Sequence, residues 1–177
     1  MAYDIGPRIT IAGEKEFNNQ MKSINSELKE LGSELKAVSS EFDKNGSSQE
    51  ALIAKSKVME KQLEAQRTKL SALQQQYDKE SAKLKELAEA MQKAAQENGE
   101  SSAEAAKAET AYRNQEQAVS KLTVSINETQ SYINKLNNNL SENKTKLDEI
   151  EAGARDAATG LSKMGDEADD AGNQLDN

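Results

Sequence analysis

The feature that most constrains this chain is the spacing of its apolar residues, which recur in alternating steps of four and three over long stretches. A repeat of 3.5 residues keeps one apolar stripe on one side of an α-helix, and helices that pair along such stripes supercoil left-handedly. The only proline is Pro7, so the stretches that carry the repeat lack the strongest helix breaker. The spacing therefore predicts an all-α fold of long coiled-coil helices.

Three heptad segments follow one another along the chain. We predict helix 1 over residues 14–44, helix 2 over residues 50–97 and helix 3 over residues 102–152. The apolar stripe of each helix predicts a seam for packing or oligomerisation. Its members are Phe17, Met21, Ile24, Leu28, Leu31, Leu35, Val38, Phe42, Leu52, Met59, Leu63, Leu70, Leu73, Tyr77, Leu84, Leu87, Met91, Val119, Leu122, Ile126, Ile133, Leu136, Leu140, Asn143, Leu147 and Ile150.

The two junctions between these helices have the same design. Gly46 and Gly99 each follow an asparagine, and glycine suits the left-handed backbone that often ends a helix. Ser47 precedes Glu50 by three residues, and Ser101 stands in the same relation to a glutamate, which matches a capping box. The spacing predicts that these two serines start helices 2 and 3.

Polar residues interrupt the stripe at six positions, and two interpretations remain open for them. They either specify the register or copy number, as a buried asparagine does in coiled coils, or they mark places where the bundle is loose and wet. Asn143 is the best candidate for a specifying role because Leu140 and Leu147 flank it in the seam. The six positions are Ser56, Gln66, Glu80, Gln115, Thr129 and Asn143.

Both ends of the chain differ from its middle. Residues 1–13 contain Ile5, Ile9 and Ile11, of which the last two alternate with polar residues as in a strand; this predicts a short extended arm that docks on a partner, or a frayed terminus. Residues 153–177 keep the heptad spacing weakly but contain four glycines and an acidic run, which predicts a hinged continuation. The pattern is still running at the last residue, as expected for a fragment of a longer protein.

The composition argues against most chemistry. The chain has no Cys, His or Trp, so thiolate nucleophiles, imidazole bases and soft-metal sites are excluded, and we expect no enzyme activity, no cofactor and no metal. A formal net charge of -8 argues against specific nucleic-acid binding. The N-terminus has no leader sequence and no stretch has the length of a membrane span, so we expect a cytoplasmic protein without membrane contact.

The seams do not agree on a copy number. In helix 3, Val119 and Ile126 occupy a positions, which favours two parallel strands, whereas Leu28 and Leu35 occupy the a positions of helix 1, which favours larger bundles. The conflict is natural if some seams pair within one chain. Because helices 2 and 3 have similar lengths and a short joint, an antiparallel hairpin is the alternative to a parallel oligomer.

Several blocks resemble the N-terminus of tail tape measure proteins from phages and phage-like tail particles of Gram-positive bacteria. They are residues 5–17 (IGPRITIAGEKEF), 24–25 (IN), 31–35 (LGSEL) and 41–45 (EFDKN), and a spacer of the same proteins is similar to residues 165–172 (GDEADDAG).

The resemblance implies a structural protein of the virion. Such a protein is assembled in the host cytoplasm, lies as a helical rod in the lumen of the tail tube, sets tail length, and leaves when the DNA is ejected. It implies a homo-oligomer, with a trimer favoured, and contacts with tail tube and tail terminus or baseplate proteins. The competing interpretation is a coiled-coil scaffold or adaptor unrelated to phage.

Overall fold

The structure is a computed structural model that describes residues 13–42 and 48–175, with side chains as far as Gly165. It contains the helices α1 (Glu14–Glu41), α2 (Gln49–Asn98) and α3 (Ala103–Leu175), and the described residues form no strand. The predicted all-α class is confirmed. The predicted arm, with Ile5, Ile9 and Ile11, lies outside the described residues.

Serine hydroxyls start both long helices. The Ser48 Oγ accepts a hydrogen bond from the Ala51 N–H at 3.3 Å, and the Ser102 Oγ accepts one from the Ala105 N–H at 3.1 Å. The observed caps, Ser48 and Ser102, each lie one residue after the serine that the sequence analysis predicted, Ser47 or Ser101.

The second junction gives a physical reason for this difference. Gly99 ends α2 with φ 87°, and the Ser102 N–H donates to the Gly99 carbonyl oxygen at 3.1 Å. This turn holds the chain out of the helix through Ser101, so Ser102 becomes the first residue able to cap α3. At the first junction, Ser47 lies outside the described residues.

Helix α2 lies between the other two and runs antiparallel to both. The Lys61 Nζ is 3.1 Å from the Glu34 Oε1 on α1, while the Asn143 Nδ2 donates to the Ser56 Oγ across to α3 at 3.1 Å. No Cα atom of α1 lies within 8 Å of one in α3. The described chain is therefore an open array in which α2 alone contacts both neighbours, and α2 and α3 form the hairpin that the sequence analysis left as an alternative.

Helix α3 is much longer than its partner. Its 73 residues rise about 110 Å, against about 75 Å for the 50 residues of α2. It continues without a break to Leu175, whereas the sequence analysis predicts a hinge after residue 152. Gly153, Gly160 and Gly165 all keep negative φ, and helical backbone is open to glycine at a propensity cost of roughly 1 kcal/mol each. This cost lowers the stability of the helix, but the helix continues through all three glycines.

The contact between α1 and α2 is built on a small apolar cluster. Leu31 of α1 packs with Val58 and Ala65 of α2, and Leu28 and Leu35 extend the cluster along α1. Leu31 is buried, so removing its side chain beyond Cβ leaves a void between the two helices.

We expect Leu31→Ala to weaken the docking of α1 by about 2–3 kcal/mol, because both the transfer energy and the packing of the lost methyl groups disappear. Amide hydrogen exchange of α1 measures this directly. The exposed Ser33→Ala on the same helix is the matched control, expected to change exchange within about 0.5 kcal/mol. Equal protection of α1 in both variants would contradict the proposed core.

Candidate functional site: the seams of α2

The predicted seam residues lie at the two interfaces of α2. Every one of them in the described chain is buried or half-buried, and the fully buried ones include Ile24, Leu31, Leu52, Leu73 and Ile133. The half-buried ones are Phe17, Met21, Leu28, Leu35, Val38, Phe42, Met59, Leu63, Leu70, Tyr77, Leu84, Leu87, Met91, Val119, Leu122, Ile126, Leu136, Leu140, Leu147 and Ile150. In this single chain the three stripes cover one another.

Asn143 is paired across the hairpin. Its Nδ2 donates to the Ser56 Oγ at 3.1 Å and lies 4.0 Å from the Met59 Sδ, and the residue is 9 % exposed. Two of the six polar positions in the predicted stripe thus form one polar layer inside an apolar interface. A shift of either helix by one turn would bury the Asn143 amide without this partner, at a cost of about 1–3 kcal/mol.

Glu80 forms a second polar layer. Its carboxylate is buried and accepts hydrogen bonds from the Gln76 Nε2 and the Gln115 Nε2, each at 2.5 Å. The Gln115 Nε2 also donates to the Glu80 backbone oxygen at 2.9 Å. Two amide groups, one from each helix, therefore solvate a carboxylate that water reaches poorly, and they do so in one register only.

The remaining two polar positions, Thr129 and Gln66, differ from each other in their hydrogen bonding. Thr129 is 2 % exposed, and its hydroxyl donates to the Ser125 carbonyl oxygen at 2.7 Å. This hydrogen bond lies within α3 and does not cross to α2. The Gln66 Oε1 is buried and accepts no hydrogen bond from the described residues. The register of the two paired layers places Gln66 opposite the turn that holds Thr129, and the Ser81 Oγ, next to Glu80, is likewise buried without a hydrogen bond from the described residues.

A second seam on α2 escaped the sequence analysis. Ala51, Val58, Ala65 and Ala72 are buried, recur every seven residues, and stand one position before the heptad that starts at Leu52. They form the side of α2 that receives α1, where small side chains let the helix axes approach closely. Their heptad spacing was visible in the sequence, but alanine is so common in helices that it gives little signal of burial.

Surface charges contribute little to the arrangement. Within the described residues, Lys61 and Glu34 form the ion pair that joins two helices, while Lys93–Glu97, Arg113–Glu109 and Arg155–Glu151 each lie within one helix turn. Hydrogen bonds from Arg113 to the Glu109 carboxylate, with the attraction of that charge, raise the pKa of the Arg113 guanidinium. Exposed pairs of this kind are weak, so the seams determine the register.

The described residues hold no group of three side chains suited to a metal ion, and none of their helices is long and apolar enough to cross a bilayer. Their surface has shallow clefts, such as the one of about 120 Å³ where Phe17 and Gln20 of α1 meet Ala72 and Gln76 of α2. No catalytic constellation lines this cleft. The candidate functional surfaces are the seams themselves.

Comparison with models of known protein families, with curated proteins and with solved structures gives no match for this chain.

Removing the amide at position 115 tests the second polar layer. We expect Gln115→Leu to destabilise the hairpin by about 1–3 kcal/mol, because the Glu80 carboxylate keeps its burial and loses its partner from α3. Denaturant unfolding measures the change. The exposed Gln117→Leu, two residues away on the same helix, is expected to stay within about 0.5 kcal/mol, and an equal effect of both variants would refute the layer.

The first layer predicts a cross-link within one chain. With Ser56→Cys and Asn143→Cys combined, a short bis-maleimide should give a monomeric product of increased gel mobility, since the native side chains meet at 3.1 Å. A control pair, Ser56→Cys with Gln115→Cys, lies at different levels of the hairpin and should not react this way. Links only between chains would contradict the hairpin.

Proposed function

We propose that this chain is a structural segment of a tail tape measure protein, a helical rod in the lumen of a phage or phage-like tail tube that sets tail length and leaves at DNA ejection. One observation carries the proposal: buried or half-buried heptad seams run through all three described helices. The resemblance of residues 5–17 and the later blocks directs this structural role to the tail.

The physics of helices suits such a task. A helix rises about 1.5 Å per residue, so the extent of a helical rod is proportional to its residue count. Extended along one axis as a helix, 177 residues span at most about 265 Å. The length of the folded hairpin, in contrast, is set by its longest helix, α3. We infer a coiled coil whose stripes pair within the chain when it is folded back and between copies, with a trimer favoured, when it is extended.

The proposed partners follow from the N-terminal residues of the segment and from its net charge. We propose that Ile5, Ile9 and Ile11 of the N-terminal residues dock on a tail terminus or baseplate protein. The negative net charge of the rod repels DNA that passes through the tube, so the DNA does not bind to the rod. The tube protein surrounds the rod. Assembly takes place in the host cytoplasm.

A coiled-coil scaffold or adaptor outside phage is the second candidate, and the folded-back topology favours it. In the described chain α2 has both of its seams covered by α1 and α3, so the hairpin needs no partner along most of its length. An adaptor of this kind would present its outer faces to client proteins and would carry no length information.

Heptad insertion separates these functions. Four extra copies of residues 84–90 in α2 and of residues 105–111 in α3 add 56 residues where only these two helices pack, and they leave α1 and both polar layers untouched. When the insertion is made in the encoding genome, an extended rod lengthens tails by about 84 Å, because all 56 residues add to its length. A hairpin that persists in the tube lengthens them by about 42 Å, because its two arms lie side by side. Electron microscopy of tails measures the difference.

The control is a Gly/Ser segment of the same 56 residues inserted at Glu100, which adds flexible coil and no rigid rise. Tails of unchanged length with the heptad insertion, or equal lengthening by the coil, would contradict the measuring role. Normal tails from a strain that lacks the gene would favour the adaptor.

A further inference from the structure

The end of α3 extends beyond the hairpin as a single helix. Asn143 pairs with Ser56, and Ser48 caps the N-terminus of α2 about two helical turns before Ser56. The N-terminus of α2 therefore lies beside Leu147 and Ile150 of α3. From residue 151 to residue 165 every described residue is exposed. We call residues 151–175 the overhang.

An apolar stripe continues along the overhang in register with the seam. Ala154, Ala157, Leu161 and Met164 follow Ile150 in steps of four, three, four and three, the same spacing that packs on α2 further back. Leu161 is 69 % exposed and Met164 is 67 % exposed, although residues at equivalent positions of the hairpin are covered. The exposed stripe is thus the direct extension of an interface that this helix already uses.

The overhang has little support of its own. Its four glycines, Gly153, Gly160, Gly165 and Gly172, each lower helix propensity by roughly 1 kcal/mol relative to alanine. As far as Gly165, where the described side chains end, its local side-chain contacts are an exposed pair, Arg155 Nη2 to Glu151 Oε2 at 3.6 Å, and a hydrogen bond from the Thr159 hydroxyl to the Arg155 carbonyl oxygen at 2.9 Å. Because helices of this composition depend on tertiary packing, a helical overhang implies a partner helix on its stripe.

We propose that this partner is the overhang of a second copy of the chain, bound antiparallel about a two-fold axis. A helix that continues the packing of α2 along this stripe runs as α2 does, antiparallel to α3. The overhang of a second copy can take this direction, and one contact then covers both exposed stripes, as an isologous interface demands. The inference goes beyond the proposed function and does not depend on it.

Packing and charge define the arrangement further. With the axis between Leu161 and Met164, Leu161 of each copy faces Met164 of the other. The small Ala154 and Ala157 permit close approach of the helices. A parallel pair would set the two acidic runs of the sequence at residues 166–170 side by side, whereas the antiparallel pair separates the two runs and brings each level with residues 155–159, whose charged residues are Arg155 and Asp156.

Sedimentation equilibrium of the whole chain tests the interface. The unmodified chain should form a concentration-dependent dimer, and Leu161→Glu with Met164→Glu should raise the dimer Kd at least tenfold. Val124→Glu with Tyr132→Glu is the matched control, since these apolar residues are similarly exposed on α3, at 53 % and 59 %, but lie off the stripe. Circular dichroism and a melting curve verify that both variants keep the hairpin.

Cysteine oxidation reports the orientation. Leu161→Cys alone should form a disulfide-linked dimer because it lies near the axis, whereas Ala154→Cys alone should not, being about 25 Å from its symmetry mate. Efficient linking of both would show a parallel pair and overturn the proposal. A chain that stays monomeric at all concentrations, a trimer, or an equal loss of dimer in the control variant would overturn it as well.

Discussion

The simultaneous burial of two faces of α2 is the constraint on which the rest of the structure depends. Only 35 % of the residues are hydrophobic and 3 % are aromatic, so the chain cannot fill a globular core. A helix that lies between two others buries more of its surface than either neighbour. The two faces differ: small residues such as Ala65 and Ala72 receive α1, and larger ones such as Leu52 and Leu73 pack on α3.

The polar layers explain why this array has one register. Heptad seams of leucine tolerate a shift by one repeat with little loss, because each new apolar contact resembles the old one. Such a shift would separate Asn143 from Ser56 and bury the Glu80 carboxylate without Gln115. Matched polar groups at two distant levels thus exclude the shifted pairings, at the expense of some stability.

One stripe on α3 serves two purposes in our interpretation. As far as Ile150 it closes the hairpin, and beyond this point the same spacing continues on an exposed helix that we assign to a second copy of the chain. A tape measure rod and an adaptor would use this property differently: the first exchanges pairing within the chain for pairing between copies, and the second keeps the hairpin and associates only through its end.

The sequence by itself determined the all-α class, the three helical segments and the phase of the apolar stripes. Helix period and glycine junctions are local properties, so the spacing of neighbouring residues is enough to predict them. It also contained the alanine heptad from Ala51 to Ala72, but alanine has the same high helix propensity whether it is buried or exposed, so nothing local indicated a second interface. Only the tertiary structure decided that α2 lies in the middle, that Ser56 meets Asn143, and that the helix continues through Gly153 and Gly160. Any heptad stripe can pair with any other, and the choice among partners depends on groups brought together from distant parts of the chain.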